Sequence, residues 1–348
     1  MLEDGTVYEG FSFGYPAATA GEVVFNTGMV GYPETFSDPS YFGQILVLTY
    51  PLIGNYGMPA KKKESNLAKG LESERLQIKG IIVSDISCEY SHWNAGKSLA
   101  ETLMTQKIPA LRGIDTRALT KKLREKGTLL GKIVFYGKET DFFDPDRENL
   151  VRYVSVARPI RYGTGDIRLA LLDCGCKHNI IRSLLQRGVE VLRLPWDHDL
   201  SREKFHALLI SNGPGNPKMY RQTILQIHQA MNRNIPMLGI CLGHQLMALA
   251  TGANTYKLKY GHRSQNQPVI EENSRRCLIT SQNHGFAVDQ RTLPAEWLPW
   301  FTNLNDGTNE GIRHVSDRFM GVQFHPEAMP GPMDAGYIFD EFLKIARK

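Results

Sequence analysis

A chain of 348 residues with 42% hydrophobic and 22% charged residues has the composition of an ordinary globular protein, and its length suggests two domains. The net charge of +5 is small and the basic residues are scattered, which argues against a nucleic-acid-binding surface. There is no run of about 18 apolar residues and no N-terminal signal, so we expect no membrane span and a cytoplasmic location. The five cysteines lack framework spacing, which favours reduced thiols.

The first half of the sequence mixes two kinds of segment. Short β-like runs (GEVVFNTG, QILVLTYP and KGIIVSD) alternate irregularly with helical segments such as TRALTKKLREKG. This pattern predicts an N-terminal α+β domain over residues 1–150. A connector at residues 151–166, which includes RPIRYGTGD, separates it from the rest of the chain.

The second half, residues 167–348, alternates more regularly. RLALLD, VEVLRL, ALLISN and IPMLGI read as buried strands, and NIIRSLLQRG and TILQIHQAMNRN read as amphipathic helices between them. Such alternation predicts α/β architecture with a doubly wound parallel sheet. Ligands are expected at the carboxyl ends of these strands, where SNGPGNP and GICLGHQ lie.

Cys241 stands between a predicted strand and a predicted helix in GICLGHQ. Gly239 and Gly243 leave room for a tight turn, as in the nucleophile elbow, with cysteine in place of serine. The helix N-terminus that follows favours the thiolate, and we expect this thiol to be partly exposed. A small buried cysteine at a strand–helix junction is the alternative.

His325 and Glu327 follow another predicted strand, in FMGVQFHPEA. A cysteine nucleophile needs a base, and the base needs an orienting group, so Cys241, His325 and Glu327 form a candidate triad. A histidine at a strand end or a metal pair are the alternatives. No third ligand occurs at helical or Cys-x-x-Cys spacing, so we predict no metal site; Cys174 and Cys176 are expected in a turn.

The loop SNGPGNP, residues 211–217, is the third element of the candidate site. Its glycines and prolines expose backbone N–H groups that could stabilise an oxyanion, although a plain turn would have the same composition. The three motifs together, within an alternating α/β region, favour a cysteine hydrolase.

GICLGHQ, SNGPGNP and FHPE resemble the class I glutamine amidotransferases, which implies a flavodoxin-like fold for the second domain. In the first half, GEVVFNTGMVGYPETFSDPSYFGQILVLTYPLIGNYG and GIDTRALTKKLREKG resemble the small subunit of carbamoyl phosphate synthetase, as does SQNHGFAVD near the C-terminus. The likeness covers nearly the whole chain. Asn216 departs from the family's usual Asp in GPGDP, and HRSQNQP from its bacterial GANHP form, being nearer the eukaryotic pattern.

The resemblance implies specific roles. Cys241 would be the nucleophile, His325 the base and acid, and Glu327 its orienting group. The L-glutamine site would comprise eight further residues: Ser40, Gly213, Gly215, Leu242, Gln245, Asn283, Gly285 and Phe286. Gln245 and Asn283 could hydrogen-bond the amino-acid end of glutamine, and the N–H groups of Leu242 and Gly215 could hold the oxyanion.

The resemblance also implies a partner. The N-terminal domain would dock a large synthetase subunit, and ammonia would travel to that subunit for carbamoyl phosphate formation in pyrimidine and arginine biosynthesis. No G-x-x-x-x-G-K-[ST] motif occurs, so ATP, Mg²⁺ and bicarbonate would be used by the partner, with no cofactor in this chain. The chain would be a free subunit or an excised domain.

Two other functions are weighed against this one. A γ-glutamyl peptidase would share the elbow but not DPSY and NHGF. A non-catalytic regulatory module is expected to lack the cysteine, which is present here.

Overall fold

The computed structural model describes residues 1–135 and 137–348, which form two compact units, Met1–Glu148 and Asn149–Lys348. Each unit has its own central sheet and its own core of buried apolar side chains. Within these residues, no helix combines the length and the apolar composition that crossing a bilayer requires.

The first unit is built mainly of short strands. Its strands are β1 (Phe11–Ser12), β2 (Thr19–Asn26), β3 (Gln44–Leu48), β4 (Leu52–Ile53), β5 (Met58–Pro59), β6 (Lys63–Glu64), β7 (Leu67–Ala68), β8 (Gly80–Ile82), β9 (Asp85–Ile86), β10 (Ala95–Lys97), β11 (Ala110–Arg112) and β12 (Leu129–Ile133). Its helices are α1 (Tyr32–Ser37), α2 (Leu99–Gln106) and α3 (Thr116–Lys126). This mixture is the α+β pattern predicted from the sequence.

The main sheet of the first unit has the order β1-β11-β8-β3-β2-β12. Its four inner strands are parallel, and β1 and β12 close the two edges in the antiparallel sense. Strand β3 is buried at every position, as expected for an inner strand covered on both faces. Local signals start the helices: Ser98 and Glu101 form a capping box for α2, and Asp115 caps α3.

The second unit contains longer strands and most of its helices lie between them. Its strands are β13 (Ile160–Tyr162), β14 (Arg168–Asp173), β15 (Glu190–Pro195), β16 (Ala207–Ile210), β17 (Met237–Ile240), β18 (Asn254–Glu271), β19 (Cys277–Asp289), β20 (Trp297–Asn303), β21 (Asn309–His314) and β22 (Phe319–Val322). Its helices are α4 (Val151–Val154), α5 (His178–Leu185), α6 (Arg221–Asn232), α7 (Leu242–Ala250) and α8 (Tyr337–Ala346).

Parallel strands form the centre of this unit, in the order β15-β14-β16-β17-β22. Numbered along the chain, the order is 2-1-3-4-5, which is the flavodoxin-like arrangement of a doubly wound sheet. The four buried strands and two helices predicted from the sequence are all present, as β14 to β17 with α5 and α6. The order reverses between β14 and β16, so a ligand is expected at the carboxyl ends of these strands.

Beyond β22 the sheet continues as an antiparallel extension, β21-β20-β18-β19. β18 and β19 are 18 and 13 residues long, and their pairing shifts register between Lys257 and His262 and between Ser264 and Gln267. The sequence analysis assigned no strand to these residues, and in the structure buried and exposed positions do not alternate regularly along β18. The extension brings β19 beside the carboxyl end of β22, where His325 N donates to Ser281 O at 3.0 Å.

We expect Leu209→Ala to lower the free energy of unfolding of the second unit by about 2–5 kcal/mol, because Leu209 lies within β16 with no exposed surface. The control Leu225→Ala, on the exposed face of α6, should change it by less than about 0.5 kcal/mol. Urea unfolding followed by tryptophan fluorescence measures both, since Trp196, Trp297 and Trp300 lie in this unit. Equal losses would contradict the placement of β16 in the core.

Candidate active site

Residues suited to catalysis lie at the carboxyl ends of the parallel strands of the second unit. Cys241 follows β17, residues 323–327 follow β22, residues 211–217 follow β16, and residues 174–177 follow β14. Parallel strands present these ends at one edge of the sheet. The fold therefore brings together side chains that are far apart in the sequence.

Cys241 occupies a strained turn between β17 and α7. Its φ of 53° and ψ of −105° are sparsely populated by residues other than glycine and cost about 1–3 kcal/mol. A Cβ on Gly239 would lie 2.6 Å from the carbonyl of Gly243, and a Cβ on Gly243 would lie 2.1 Å from Ile210 O. Cys241 N donates to Val322 O at 2.8 Å, which ties the turn to β22. These features are those of a nucleophile elbow.

The thiol of Cys241 is more buried than the sequence predicts. Only 2% of Cys241 is exposed, so the expectation of a partly exposed thiol was wrong. Strand β19, which the sequence pattern did not predict, lies over it, with the carbonyl oxygen of Asn283 3.8 Å from Sγ. Cys174 and Cys176 are also buried, in the turn after β14.

His325 and Glu327 form a tight pair. Nδ1 of His325 lies 2.6 Å from Oε1 of Glu327, and both side chains are almost completely buried. Among the described residues no group makes a well-formed hydrogen bond with Nε2 of His325, yet the Cys241 thiol contributes to the raised pKa of this ring. The thiol therefore approaches this nitrogen more loosely than in a formed hydrogen bond, which is usual before substrate binds.

Lys177 is a member of this cluster that the sequence analysis missed. Its Nζ lies 3.0 Å from Oε1 of Glu327 and donates to Ala328 O at 2.6 Å. The backbone N of Lys177 donates to Oδ1 of Asn212 at 3.0 Å, which ties the loop after β14 to the loop after β16. KHN at residues 177–179 has no recognisable motif spacing, so only the fold reveals the ion pair.

Lys177, Glu327 and His325 form a buried row of charged groups, and each charge affects the protonation of its neighbours. Burial alone would lower the pKa of His325, but the Glu327 carboxylate, together with a contribution from Cys241, outweighs burial and Lys177 and raises it to about 10. Burial alone would raise the pKa of Glu327, but Lys177 and His325 lower it to about 2. At neutral pH the row therefore holds a cationic lysine, an anionic glutamate and a protonated histidine.

The loop after β16 is tightly constrained. A Cβ on Gly213 would lie 2.0 Å from Cys174 O, and Gly215 has a φ of 78°. Tyr220, which is fully buried, donates its hydroxyl to Pro214 O at 2.6 Å and fixes the loop. A side chain at either position would therefore clash or strain the loop, and the binding of glutamine by these two glycines stays a prediction.

Asn216, the departure from the family pattern, keeps a structural role in this loop. Its Oδ1 accepts a hydrogen bond from Lys218 N at 3.1 Å and caps a short 3₁₀ turn at Pro217–Met219. An aspartate at the same position would offer the same acceptor oxygen. The substitution therefore changes the charge of the loop but not the contact that shapes it.

Gln245 and β19 form the other wall of the candidate site. Nε2 of Gln245 donates to Phe286 O at 2.7 Å and to Oε1 of Gln323 at 3.0 Å. Both hydrogens of this amide are thus used inside the protein, and Oε1 is the atom that can accept a hydrogen bond from a ligand. Gly285 lies between Asn283 and Phe286 on the same strand, close to the Arg263 side chain.

Leu242 and Ser40 complete the set of predicted glutamine-site residues. Leu242 is the first residue of α7, so its N–H has no acceptor within the helix. Ser40 belongs to the first unit, where it is buried in the turn Pro39–Tyr41 and its N–H is held by Oδ1 of Asp38. Its role in binding glutamine stays a prediction.

Two family models match the chain. The model of "Glutamine amidotransferase class-I" matches residues 170–345, and that of "Carbamoyl-phosphate synthase small chain, CPSase domain" matches residues 1–133. The first match contains the whole cluster built around Cys241. The second lies within the first unit.

The chain is also similar to known proteins over its whole length. It is 49% identical to "Carbamoyl-phosphate synthase [ammonia], mitochondrial" of Aquarana catesbeiana and to "Multifunctional protein CAD" of Squalus acanthias, and spans 24% and 16% of those proteins. It is 46% identical to "Carbamoyl phosphate synthase arginine-specific small chain" of Aspergillus oryzae and spans 80% of it. The chain thus spans a quarter or less of the two larger relatives and most of the small chain.

We expect Glu327→Gln to lower the pKa of His325, because the amide can still bond Nδ1 but lacks the carboxylate charge. Lys177→Met should raise the same pKa, since it removes a cation that disfavours the protonated ring. Histidine ring ¹⁵N chemical shifts followed against pH measure both, with His325→Asn to assign the signal. If both substitutions shifted the pKa of His325 in the same direction, or if His325 titrated near 6.5 in the unchanged chain, the proposed row of charges on Lys177, Glu327 and His325 would be contradicted.

Proposed function

The chain belongs to the carbamoyl-phosphate synthase small chain family and carries a class-I glutamine amidotransferase domain, and on that basis we propose that it hydrolyses L-glutamine to glutamate and ammonia. Cys241 is the nucleophile, His325 the acid and base, and Glu327 the group that orients and charges the ring. The observation that carries this proposal is the buried His325–Glu327 pair beside a cysteine held in a strained turn at a helix N-terminus.

In the first half of the reaction, Cys241 attacks the side-chain amide carbon of glutamine as the thiolate, its proton having passed to His325. A sulfur–carbon bond forms, and the carbonyl electron pair moves to oxygen as an oxyanion. The N–H groups of Leu242 and Gly215 are proposed to hold that oxyanion. The carbon–nitrogen bond then breaks, and His325 gives its proton to the departing nitrogen, which leaves as ammonia.

The second half releases glutamate. His325, now neutral, takes a proton from water as the water oxygen attacks the γ-glutamyl thioester. The sulfur–carbon bond breaks, and the thiolate of Cys241 is restored beside a protonated imidazole. The raised pKa of His325 suits this order of events, because the ring begins protonated and acts first as an acid.

Recognition of glutamine is proposed to use the walls of the site described above. Oε1 of Gln245 accepts from the α-ammonium group, since the nitrogen of the same amide is already used by Phe286 O and Gln323. Asn283 contributes hydrogen bonds to the amino-acid end. The remaining predicted contacts are Ser40, Gly213, Gly285 and Phe286.

The names of the relatives do not show whether glutamine or free ammonia supplies the nitrogen for this chain. The Aquarana catesbeiana protein is named for ammonia, whereas this chain carries a cysteine with a buried base beside it. The proposal of glutamine hydrolysis therefore depends on Cys241 and its surroundings rather than on family membership alone.

We further propose that the ammonia is delivered to a large ATP-dependent synthetase subunit, which makes carbamoyl phosphate for arginine or pyrimidine biosynthesis. Two observations support this: the match of residues 1–133 to the small-chain model and the similarity to a protein named as a small chain. The first unit then serves as the docking surface. ATP, Mg²⁺ and bicarbonate are assigned to the partner.

The purified chain should hydrolyse L-glutamine, and Cys241→Ser should reduce the rate more than about 10³-fold, because the nucleophile is lost. His325→Asn should have a comparable effect and Glu327→Gln a smaller one, since the amide can still hold the ring. Glutamate release in a coupled assay measures all three. Cys277→Ser, at an exposed cysteine, is the control and should leave the rate unchanged.

A γ-glutamyl peptide series distinguishes the alternative enzyme. Faster cleavage of these peptides than of glutamine would indicate a peptidase. Full glutaminase activity in Cys241→Ser would place the nucleophile elsewhere. A glutamine-mimicking electrophile should label Cys241, and mapping of the label to another cysteine with Cys241 free would also contradict the assignment.

In a complex reconstituted with the synthetase partner, Cys241→Ser should remove one activity and leave the other. Glutamine-dependent carbamoyl phosphate synthesis should be lost, whereas synthesis from added ammonium should remain, because the substitution leaves the docking surface unchanged. Product formation from each nitrogen source measures the division. Loss of both activities, despite normal assembly on a sizing column, would contradict it.

A further inference from the structure

A second cluster of buried polar side chains lies behind the strand that lines the candidate active site. Its members come from separate strands: His262 from β18, Gln282 and His284 from β19, and Glu310 from β21. All four residues are buried, and Glu310 has no exposed surface. The triad does not use them, and the glutamine site assigned above does not include them.

Four ligand-type atoms of this cluster converge on one point. Nδ1 of His262 lies 3.0 Å from Oε1 of Gln282 and 3.2 Å from Oε1 of Glu310. Nε2 of His284 lies 3.1 Å from the same Gln282 oxygen and 3.9 Å from the same Glu310 oxygen. The two ring nitrogens and the carboxylate oxygen all lie within 4.8 Å of one another.

These separations match a four-coordinate metal site. Zn²⁺ binds nitrogen and oxygen ligands at about 2.0–2.2 Å, so neighbouring ligands of a tetrahedron are separated by about 3.3–3.6 Å. The four measured separations, from 3.0 to 3.9 Å, lie on both sides of that value. A cation of this size therefore fits with small adjustments of the side chains.

The outer hydrogen bonds orient both imidazoles toward that point. Nε2 of His262 lies 2.8 Å from Oδ2 of Asp306, and Nδ1 of His284 lies 2.9 Å from Phe286 O. Each of these partners is an acceptor, so each ring carries a hydrogen on its outer nitrogen. Metal-binding histidines almost always donate their other ring N–H to a carboxylate or a backbone carbonyl in this way.

Hydrogen bonds within the protein leave part of this cluster unsatisfied. With a hydrogen on Nδ1, a neutral His284 presents a lone pair from Nε2 to the Gln282 carbonyl oxygen, which is also an acceptor. Oε1 of Glu310 accepts a hydrogen bond from Nδ2 of Asn303 at 3.1 Å, whereas Oε2 is buried and has no hydrogen-bond partner among the described residues. Buried acceptors without donors are rare, and a cation would interact favourably with the lone pairs that have no donor.

We propose that His262, Gln282, His284 and Glu310 form a structural binding site for Zn²⁺. With the Gln282 oxygen as the fourth ligand beside His262, His284 and Glu310, the site has no open position, as in structural rather than catalytic zinc sites. Nδ1 of His284 fixes Phe286 O, which also accepts the hydrogen bond from Gln245. The metal ion therefore secures the strand that forms one wall of the candidate glutamine site.

Sequence spacing cannot reveal such a site, because the ligands stand at positions 262, 282, 284 and 310 on three strands. The expectation of no metal was based on spacing within single segments. Only the antiparallel pairing of β18 with β19, and the approach of β21, brings these side chains together.

Metal titration of the full chain tests the proposal. The Cys241→Ser background is used so that the thiol beside His325 cannot compete for the metal ion. After dialysis against a chelator, the chain should bind one equivalent of Zn²⁺, and bound Co²⁺ should give the intense visible absorption of four-coordinate cobalt. Glu310→Gln should weaken binding more than about 100-fold, and Asp306→Asn about 10–100-fold.

His314→Gln is the matched control, because it removes a histidine from β21, the strand that carries Glu310. It should leave Zn²⁺ affinity unchanged. Asp306 has a side chain that is 44% exposed, so Asp306→Asn remains informative if Glu310→Gln fails to fold, as checked by circular dichroism. The proposal would be overturned if the Cys241→Ser chain, with its cluster intact, failed to bind Zn²⁺ or Co²⁺ stoichiometrically. It would also be overturned if Glu310→Gln and Asp306→Asn bound Zn²⁺ as tightly as the intact cluster.

Discussion

A row of buried charges, from Lys177 through Glu327 to His325, is the interaction on which the candidate site depends. Burying charged groups is unfavourable unless each has a partner, and here the 3.0 Å and 2.6 Å contacts of Glu327 Oε1 supply partners on both sides. Removing one member would leave a buried charge uncompensated. The position of the lysine is set in turn by Asp173, whose Oδ1 accepts from Cys176 N and whose Oδ2 pairs with Arg193.

This row couples the fold to the chemistry. Lys177 follows β14, Cys241 follows β17, and His325 and Glu327 follow β22, so the cluster forms only when the parallel strands are in register. The carboxylate holds the imidazole and favours its protonated form, which a departing amine requires from a general acid. Each of these residues lies close to the end of its strand, so the rigid strands set their orientation, and the electrostatics follow from which strand ends are neighbours.

Local signals in the sequence were enough to predict part of this arrangement. The glycines on either side of Cys241 indicate a tight turn, and the spacing of His325 and Glu327 after an apolar run indicates a pair at a strand end. Each signal is contained within a few residues of the sequence. Lys177 was missed because its importance comes from a contact between different strand ends. The exposure of Cys241 was predicted wrongly for a related reason: β19 covers it, and the sequence analysis had assigned neither β18 nor β19.

Strand β19 connects the two polar clusters of the second unit. Asn283 places its carbonyl near the thiol of Cys241, and the next residue, His284, turns its ring toward His262 and Glu310. The strand therefore contributes a backbone carbonyl to one cluster and a side chain to the other. Apolar packing would hold such a strand without fixing its carbonyls in direction. Polar partners on its far side fix both position and direction, which a wall that must recognise a small polar substrate requires.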